Sequence, residues 1–593
     1  MTVDRSLLER RSLFGMAAVL AGSSASTMHG AAGKTADIVP GDPAGRPTFN
    51  VRDYGAAGNG VTNDTAAIQK AIDACNHARG GIVYVPAGTY LTGTIRLKSN
   101  VTLYLHVGAT IQGSKQVADY DLFGPICPAS ECYAQPRYLI YAKDAQNIGI
   151  VGQGKIDGSG RSFWRLMTKA EIEEVLLQRP EGGRVAQDWY RWLDRPAMMI
   201  ELEDCKNVRL EGIRLENAPF WTVHPLRCDS VFIDGITIDN PLYGNNLDGI
   251  DPDGCSNVMI SNCNIYTCDD AICVKNTDWA GHPSAWRSRN ITVTNCVLCT
   301  TCNALKIDEI DPDNSVENVT FSNCALYGDR HPKDPGNSPF WPELEDFRPM
   351  SGIHIDVPSL SGSITGVTIS NISMQDIRCP IFMRLTRAGE TAGPGTGGVI
   401  RDIMIDNILA RRQSLTSVIS GLPGRDIERI SLSNVRATGI QGGTLAWAKR
   451  KFIPESEGDY PDSWIFGNLP SHGLYCRHVN GLRLRSIEYV LEEPDMRPAI
   501  MFDDVENLDI DSFAAPAPPS GMAVMRLKQV RRAFIRGCSA APGTGTYLQV
   551  EGEETQKISV MGNDLSEAGE PIRLAEGVKA NAVFESGNRM PQA

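Results

Sequence analysis

A run of alternating apolar and polar residues, opened by a turn residue that is often Asn and closed by Asn, Asp or Gly, recurs through most of the chain. Copies open at Asn147 (NIGIVGQG), Asn207 (NVRLEGIRL), Ser230 (SVFIDGITI), Asn257 (NVMISNCNI), Asn290, Asn318, Gly366, Asp402, Arg429, Gly481, Asn507, Arg532 and Lys557. From Asn207 onward the starts are 23, 27, 33, 28, 48, 36, 27, 52, 26, 25 and 25 residues apart. A coil of 23 to 27 residues therefore repeats, and the longer intervals are that coil plus an inserted loop. Period-two alternation marks strands with one buried face, and such strands at a fixed spacing predict coils stacked about 4.8 Å apart into a solenoid with an apolar interior. Leucine-rich repeats would show helix-period segments between the strands, and these are missing from the pattern. Ahead of the repeat, residues 62–75 (TNDTAAIQKAIDAC) predict a short helix: Asn63 and Asp64 are cap candidates, and Ala67, Ile68, Ala71 and Ile72 follow at helical spacing. A helix there would close the open end of the stack, which otherwise invites edge-to-edge association.

The stretch from Phe49 to Ser114, FNVRDYGAAGNGVTNDTAAIQKAIDAC and onward, resembles the amino-terminal region of pectin-active β-helix enzymes. NAPFWTVHP (Asn217–Pro225), NNLDGIDPDGCSNVMISNCNIYTCDDAICVKN (Asn245–Asn276) and NALKI (Asn303–Ile307) resemble glycoside hydrolase family 28, the polygalacturonase-like group of the pectin lyase-like superfamily. The similarity runs from Phe49 to Arg387, and the LDGID and CDDAI blocks are its most specific part. It implies an all-β, right-handed parallel β-helix with a short N-terminal capping helix. The expected segments are 1–33, a signal peptide; 45–115, cap and first coils; 116–440, the catalytic β-helix; and 441–593, an insertion followed by further coils.

Asp248 precedes Asp269 by 21 residues and Asp270 by 22, close to one minimal coil, so the three carboxyls are expected on one face of neighbouring coils. Like charges so close raise at least one pKa, which gives a protonated acid beside an ionised base, the pair of states glycoside hydrolysis needs. The resemblance assigns Asp269 as general acid, with Asp248 and Asp270 orienting the attacking water and inversion at the anomeric carbon. A lone Asp in such a repeat would be read as a turn cap. Asp251 and Asp253 are read as turn or supporting residues. Lys275 matches the family lysine after the paired aspartates, a candidate to bind substrate or lower a carboxylate pKa. Trp221 and His224 lie one coil earlier, where a tryptophan either stacks on a sugar ring or packs in the core.

Two positions depart from the family pattern. The Gly-His-Gly block is replaced by Cys302-Asn303-Ala304, and the best match to Gly-x-Arg-x-Lys is Gly352-Ile353-His354-Ile355-Asp356, with Gly328-Asp329-Arg330 as the rival placement, where a proline separates Arg330 from Lys333. Losing an Arg/Lys fork and gaining an aspartate removes bidentate pairing with a uronate carboxylate. The candidate substrate residues are thus Lys275, Asn303, Lys306, His354, Asp356, Trp221 and His224, with Arg330 and Arg384 as further cations. No cofactor and no metal is expected. A polysaccharide lyase or epimerase on the same scaffold, and a non-catalytic carbohydrate-binding solenoid, are the rival readings.

Lys+Arg of 57 against Asp+Glu of 70 leaves a net charge of −13, which gives no drive toward nucleic acid or an anionic membrane. A polysaccharide or oligosaccharide is the expected partner. Arg10-Arg11 ahead of a short apolar stretch, Leu13 to Leu20, and small residues to Ala32 reads as a twin-arginine signal, too short to span a bilayer, which places the protein in the periplasm or outside the cell. Eight of the 16 cysteines fall between Cys255 and Cys324. Cys296, Cys299 and Cys302 lack the partners of a zinc site, so stacked core thiols are expected, with one or two disulfides allowed. The insertions between Gly328 and Met350 and between Gly439 and Leu474, rich in Pro and aromatic residues, suit the walls of a cleft and favour exo action.

Overall fold

The computed structural model describes residues 47–125, 134–178, 190–277, 286–329, 347–387, 397–440 and 442–592. The twin-arginine segment, Arg330 and Lys333 lie outside them. Among the described residues no helix is long and apolar enough to cross a membrane.

The chain winds into a right-handed parallel β-helix. Corresponding strands of successive coils pair in parallel, register after register: Val208, Val231, Val258, Ile291, Val319, Val367, Ile403, Ile430, Leu482 and Leu508 form one inward column, all buried. Each residue that opens a cassette explains the turn before this column. All of them, from Asn147 (φ 56°) to Lys557 (φ 57°), have a left-handed backbone. Asn tolerates that conformation better than other side chains with a Cβ, which is why it dominates the positions. The asparagines then bond one another across coils, Asn318 Nδ2 to Asn290 Oδ1 at 2.9 Å and Asn290 Nδ2 to Asn257 Oδ1 at 3.0 Å.

The predicted helix is present as α1 (Thr65–His77), with Ile68, Ala71, Ile72 and Cys75 buried against the first coils. Asn63 does the capping, its Oδ1 accepting from Thr65 N at 3.1 Å. Asp64 occupies the N-cap position, its carbonyl accepting from Ile68 N at 3.0 Å, but its carboxylate accepts from Ala57 N and Gly58 N at 2.7 and 2.9 Å and ties down the incoming loop.

One stack of strands carries the site. It comprises β1 (Ile140–Lys143), β2 (Ile200–Glu203), β3 (Val223–Leu226), β4 (Ile272–Asn276), β5 (Asn303–Ile310), β6 (Ser351–Val357), β7 (Cys379–Leu385) and β8 (Ser417–Ser420). Between β3 and β4 regular pairing gives way to isolated bridges, Val223 to Ile250 to Ile272 and Leu226 to Asp253 to Lys275. The irregular coil is the one bearing Asp248.

Residues 442–473 fold back over the outward face of β7 and β8. Ile453, Phe466 and Leu469 join Cys379, Phe382, Val418, Tyr475 and Met501 in a separate apolar cluster. Arg384 donates to Glu455 O (2.6 Å) and Ser456 O (2.8 Å), and Arg477 to Pro454 O (2.7 Å) and Ile453 O (3.1 Å), so two buried guanidiniums satisfy the carbonyls of this flap.

The fourteen described cysteines are buried free thiols. Cys205, Cys228 and Cys255 sit one coil apart, as do Cys263, Cys296 and Cys324, each filling a column position as a small apolar side chain. A disulfide closing one coil would contribute about 3 kcal/mol. Because the columns hold thiols, Tm measured with and without a reductant such as dithiothreitol should agree to within about 2 °C; a drop of several degrees on reduction would show that the columns are cross-linked.

Candidate active site

Strand register brings Asp248, Asp270 and Asn303 into one column, since Ile250 pairs with Ile272 and Ile272 with Leu305, with Asp269 beside Asp270. Asp248 and Asp270 are each 3 % exposed. The expectation that the three carboxyls meet on one face of adjacent coils is what the registers produce.

Their surroundings differ. Burial opposes the charged form of Asp270, yet Lys306 Nζ at 3.0 Å, Lys275 and the Asn303 amide (2.7 Å) hold its carboxyl below the usual range, so it is ionised. Desolvation and then the neighbouring Asp270 raise Asp269 to about 6. Burial, with Asp269 and Asp251 adding repulsion, pushes Asp248 well above the ordinary value, and its Oδ1 has no hydrogen-bond partner among the described residues. One carboxyl is thus held low while its two neighbours are raised, a coupled set whose titration belongs to the group.

Lys275 and Lys306 are buried ammoniums. Lys275 Nζ lies 3.0 Å from Glu309 Oε2, 3.9 Å from both Asp248 Oδ2 and Asp251 Oδ1, and 3.9 Å from the centroid of Trp221. Lys306 Nζ lies 3.0 Å from Asp270 Oδ2, 2.7 Å from Asp308 Oδ2 and 3.3 Å from the Tyr460 hydroxyl of the flap. Opposite charge keeps both protonated despite burial.

Several residues take other parts than the sequence suggested. Trp221 is 5 % exposed, packed with Phe220, Ala197 and Met198 and covered by Lys275, so no ring face is open to a sugar, and the core-packing alternative holds. His224 is fully buried, with Nδ1 2.7 Å from Glu201 Oε2 and Nε2 3.6 Å from Asp253 Oδ2; burial resists its charge, but the flanking carboxylates raise it to about 10. It is a cation of the floor and not a substrate contact. Asn303 bonds Asp270 from both its side chain and its backbone N, and so positions the base. Asp251, read as a turn residue, is buried in register with His224 and Cys273; burial raises it to about 8, against the pull of Lys275. Asp253 does play a supporting part, accepting from Thr277 N at 2.8 Å.

Register places Lys306, His354 and Phe382 in one column and sets Asp356 beside Arg384 in the next. His354 Nε2 is 2.7 Å from Asp356 Oδ1, and both residues are buried. The guanidinium of Arg384 is turned to flap carbonyls, so it does not serve as a clamp for substrate. Asp308, Glu309 and Tyr460 were not singled out from the sequence. Asp308 was legible, because it stands two residues after Lys306 on a strand and must share its face; Tyr460, carried in by an insertion 154 residues from Lys306, left no local signal.

Removing one member of a buried ion pair strands the other, at a cost of about 3–5 kcal/mol. Lys306→Met should therefore lower Tm by several degrees and, by freeing Asp270 from its cation, move that carboxyl upward. Thermal unfolding followed by circular dichroism, together with the acid limb of activity, checks both; an unchanged Tm would show that Lys306 does not neutralise the site.

Residues 75–331 match the family described as Glycosyl hydrolases family 28. A "Probable polygalacturonase" of Vitis vinifera is 26 % identical over 398 residues, 65 % of this chain and 72 % of that protein. The "Exo-poly-alpha-D-galacturonosidase" of Dickeya chrysanthemi is 30 % identical over 253 residues, 38 % of this chain and 41 % of that protein. The "Family 28 Exopolygalacturonase" structure of Yersinia enterocolitica superposes with a TM-score of 0.55 at 19 % identity, covering 79 % of this chain and 78 % of the other, and so shares the fold. The matched residues contain Asp248, Asp269 and Asp270, so the segment that carries the candidate site is the part of the chain that matches glycosyl hydrolase family 28, a family of glycosidases that hydrolyse O-glycosyl compounds.

Proposed function

We propose that the protein hydrolyses a pectin-related polysaccharide or oligosaccharide with inversion, Asp269 protonating the leaving glycosidic oxygen and Asp270 activating water. The observation that carries this reading is the split among the three carboxyls: Asp270 held ionised by Lys306, Asp269 raised to about 6 and Asp248 raised further. Asp248 completes the water site from the neighbouring coil. Lyase chemistry would call for a cation at the uronate carboxylate, and the cations nearest the acid, Lys275 and Lys306, are already paired with protein carboxylates.

Exo action is part of the proposal. The flap closes the face of β7 and β8, and Trp464 reaches Met350 beside Cys302, walling the cleft next to the aspartates. The relative from Dickeya chrysanthemi is likewise an exo-acting galacturonosidase by name. Export through the Arg10-Arg11 segment belongs to the same reading and puts the enzyme where polysaccharide is found.

The sugar accepted by the protein groups alone is neutral. Lys275 is held by Glu309 and Lys306 by Asp270 and Asp308, so neither buried ammonium is left over to pair with a uronate carboxylate. An added uronate carboxylate would meet repulsion.

Asp269→Asn, nearly isosteric but without the acid, should lower kcat by about 10²–10⁴ while leaving the circular dichroism spectrum unchanged. The active form needs Asp269 protonated and Asp270 ionised. Activity should therefore fall as pH rises through about 6 and fall on the acid side only below the ordinary carboxylate range. Reducing-end release by an Asp269→Asn variant at more than about a tenth of the wild-type rate would reject the assignment. In metal-free buffer, kcat/KM on plain polygalacturonate should be lower than on rhamnose-, galactose- or arabinose-containing oligosaccharides; the reverse order would place a carboxylate clamp elsewhere.

A further inference from the structure

Where the family pattern has an arginine and a lysine, this chain builds a different donor set. Asp308, His354 and Asp356 each present one ligand atom, all within 4.8 Å of one another, and all three residues are at most 1 % exposed. Their partners do not satisfy them. His354 presents Nε2 to Asp356 Oδ1 at 2.7 Å, and its Nδ1 has no hydrogen-bond partner among the described residues. Asp356 Oδ2 is also without one. The single nearby ammonium, Lys306, is divided between Asp270 and Asp308, and Arg384, in register with Asp356, is committed to Glu455 O and Ser456 O. Asp356 lies against Asp308, and burial together with that neighbour pushes its carboxyl well above the usual range, so the cluster holds a proton that a cation would displace.

We propose that Asp308, His354 and Asp356 bind a divalent transition-metal ion such as Zn²⁺ or Mn²⁺, which supplies the positive charge for a uronate carboxylate that the family's arginine and lysine would otherwise give. This rests on the hydrolase reading of the cleft and departs from the expectation of no metal. Imidazole with carboxylates suits Zn²⁺ and Mn²⁺ better than Ca²⁺, which takes six to eight oxygens. Among the described residues the cluster has three protein donors, so coordination positions remain for the two oxygens of a sugar carboxylate. The same cleft then has two specificities: neutral sugars without metal, acidic sugars with it.

The test starts without substrate. The full chain, freed of metal with EDTA and dialysed, is titrated calorimetrically with ZnCl₂, MnCl₂ and CaCl₂ and its Tm is recorded with each. One Zn²⁺ or Mn²⁺ per chain is expected, with a raised Tm and weaker Ca²⁺ binding. His354→Gln and Asp356→Asn should each weaken binding at least about tenfold, whereas Cys302→Ser, in the rival cluster of Asp269, Asp270 and Cys302, should leave it unchanged. The proposal is overturned if wild type binds no Zn²⁺ or Mn²⁺ at millimolar concentration, if His354→Gln and Asp356→Asn bind as wild type does, or if Cys302→Ser abolishes binding. A second arm compares kcat/KM on polygalacturonate with and without the bound ion: a rise of at least about tenfold, absent for a neutral oligosaccharide, supports the stated role, and equal values overturn that role. Failure to bind metal leaves hydrolysis by Asp269 untouched, and loss of hydrolysis leaves the calorimetry interpretable.

Discussion

Every feature of the cleft follows from the hydrogen bonds between successive coils. Parallel pairing in fixed register leaves each outward side chain about 4.8 Å from its counterpart on the next coil, so columns of like residues are unavoidable. On the inner side the constraint is favourable, because Val on Val on Ile fills the core. On the outer side it forces Asp248, Asp270 and their neighbours together, where carboxyls must either be paired with cations or take up protons. Lys275 and Lys306 are placed by the same registers, and the uneven way they reach the carboxyls holds Asp270 low while Asp269 and Asp248 are raised. Chemistry in this protein is therefore a matter of which residue occupies which rung.

Much of this was legible in the chain. Alternation gave the strands, and the interval between Asp248 and the Asp269-Asp270 pair placed them one coil apart before any coordinates. The positions that open each cassette were recognisable because a left-handed turn selects Asn. What the pattern could not supply was depth. Trp221 and His224 stand on the correct face, but Lys275 folds over the indole and Glu201 flanks the imidazole, contacts that depend on side-chain conformation across coils and not on spacing. Asp251 was read as a turn or supporting residue, and the isolated bridges on either side of Ile250, where regular pairing gives way, are why spacing alone left the choice open. Tyr460 reaches Lys306 from an insertion, and no period relates the two.

A register-based site also shows how specificity changes while the scaffold does not. Exchanging an arginine-lysine pair for His354 and Asp356 alters the charge of two rungs and leaves every backbone hydrogen bond of β6 in place. The column of Asp248 and Asp270 is joined to those rungs by Lys306, which pairs with both Asp270 and Asp308. A change of charge on one rung is therefore felt on the next.

The flap over β7 and β8 breaks the rule that a solenoid coil touches only its neighbours. Through Ser463 and Trp464 it holds Met350, and through Ile453, Phe466 and Leu469 it holds Cys379, Val418, Tyr475 and Met501, so one excursion of the chain clasps five successive coils. A stack that would otherwise fray coil by coil from its C-terminal end meets a staple there, and the coils behind that staple become its anchorage. The region past the family match thus acts as a foundation: mechanical continuity beyond the catalytic aspartates is what keeps the wall of the cleft standing.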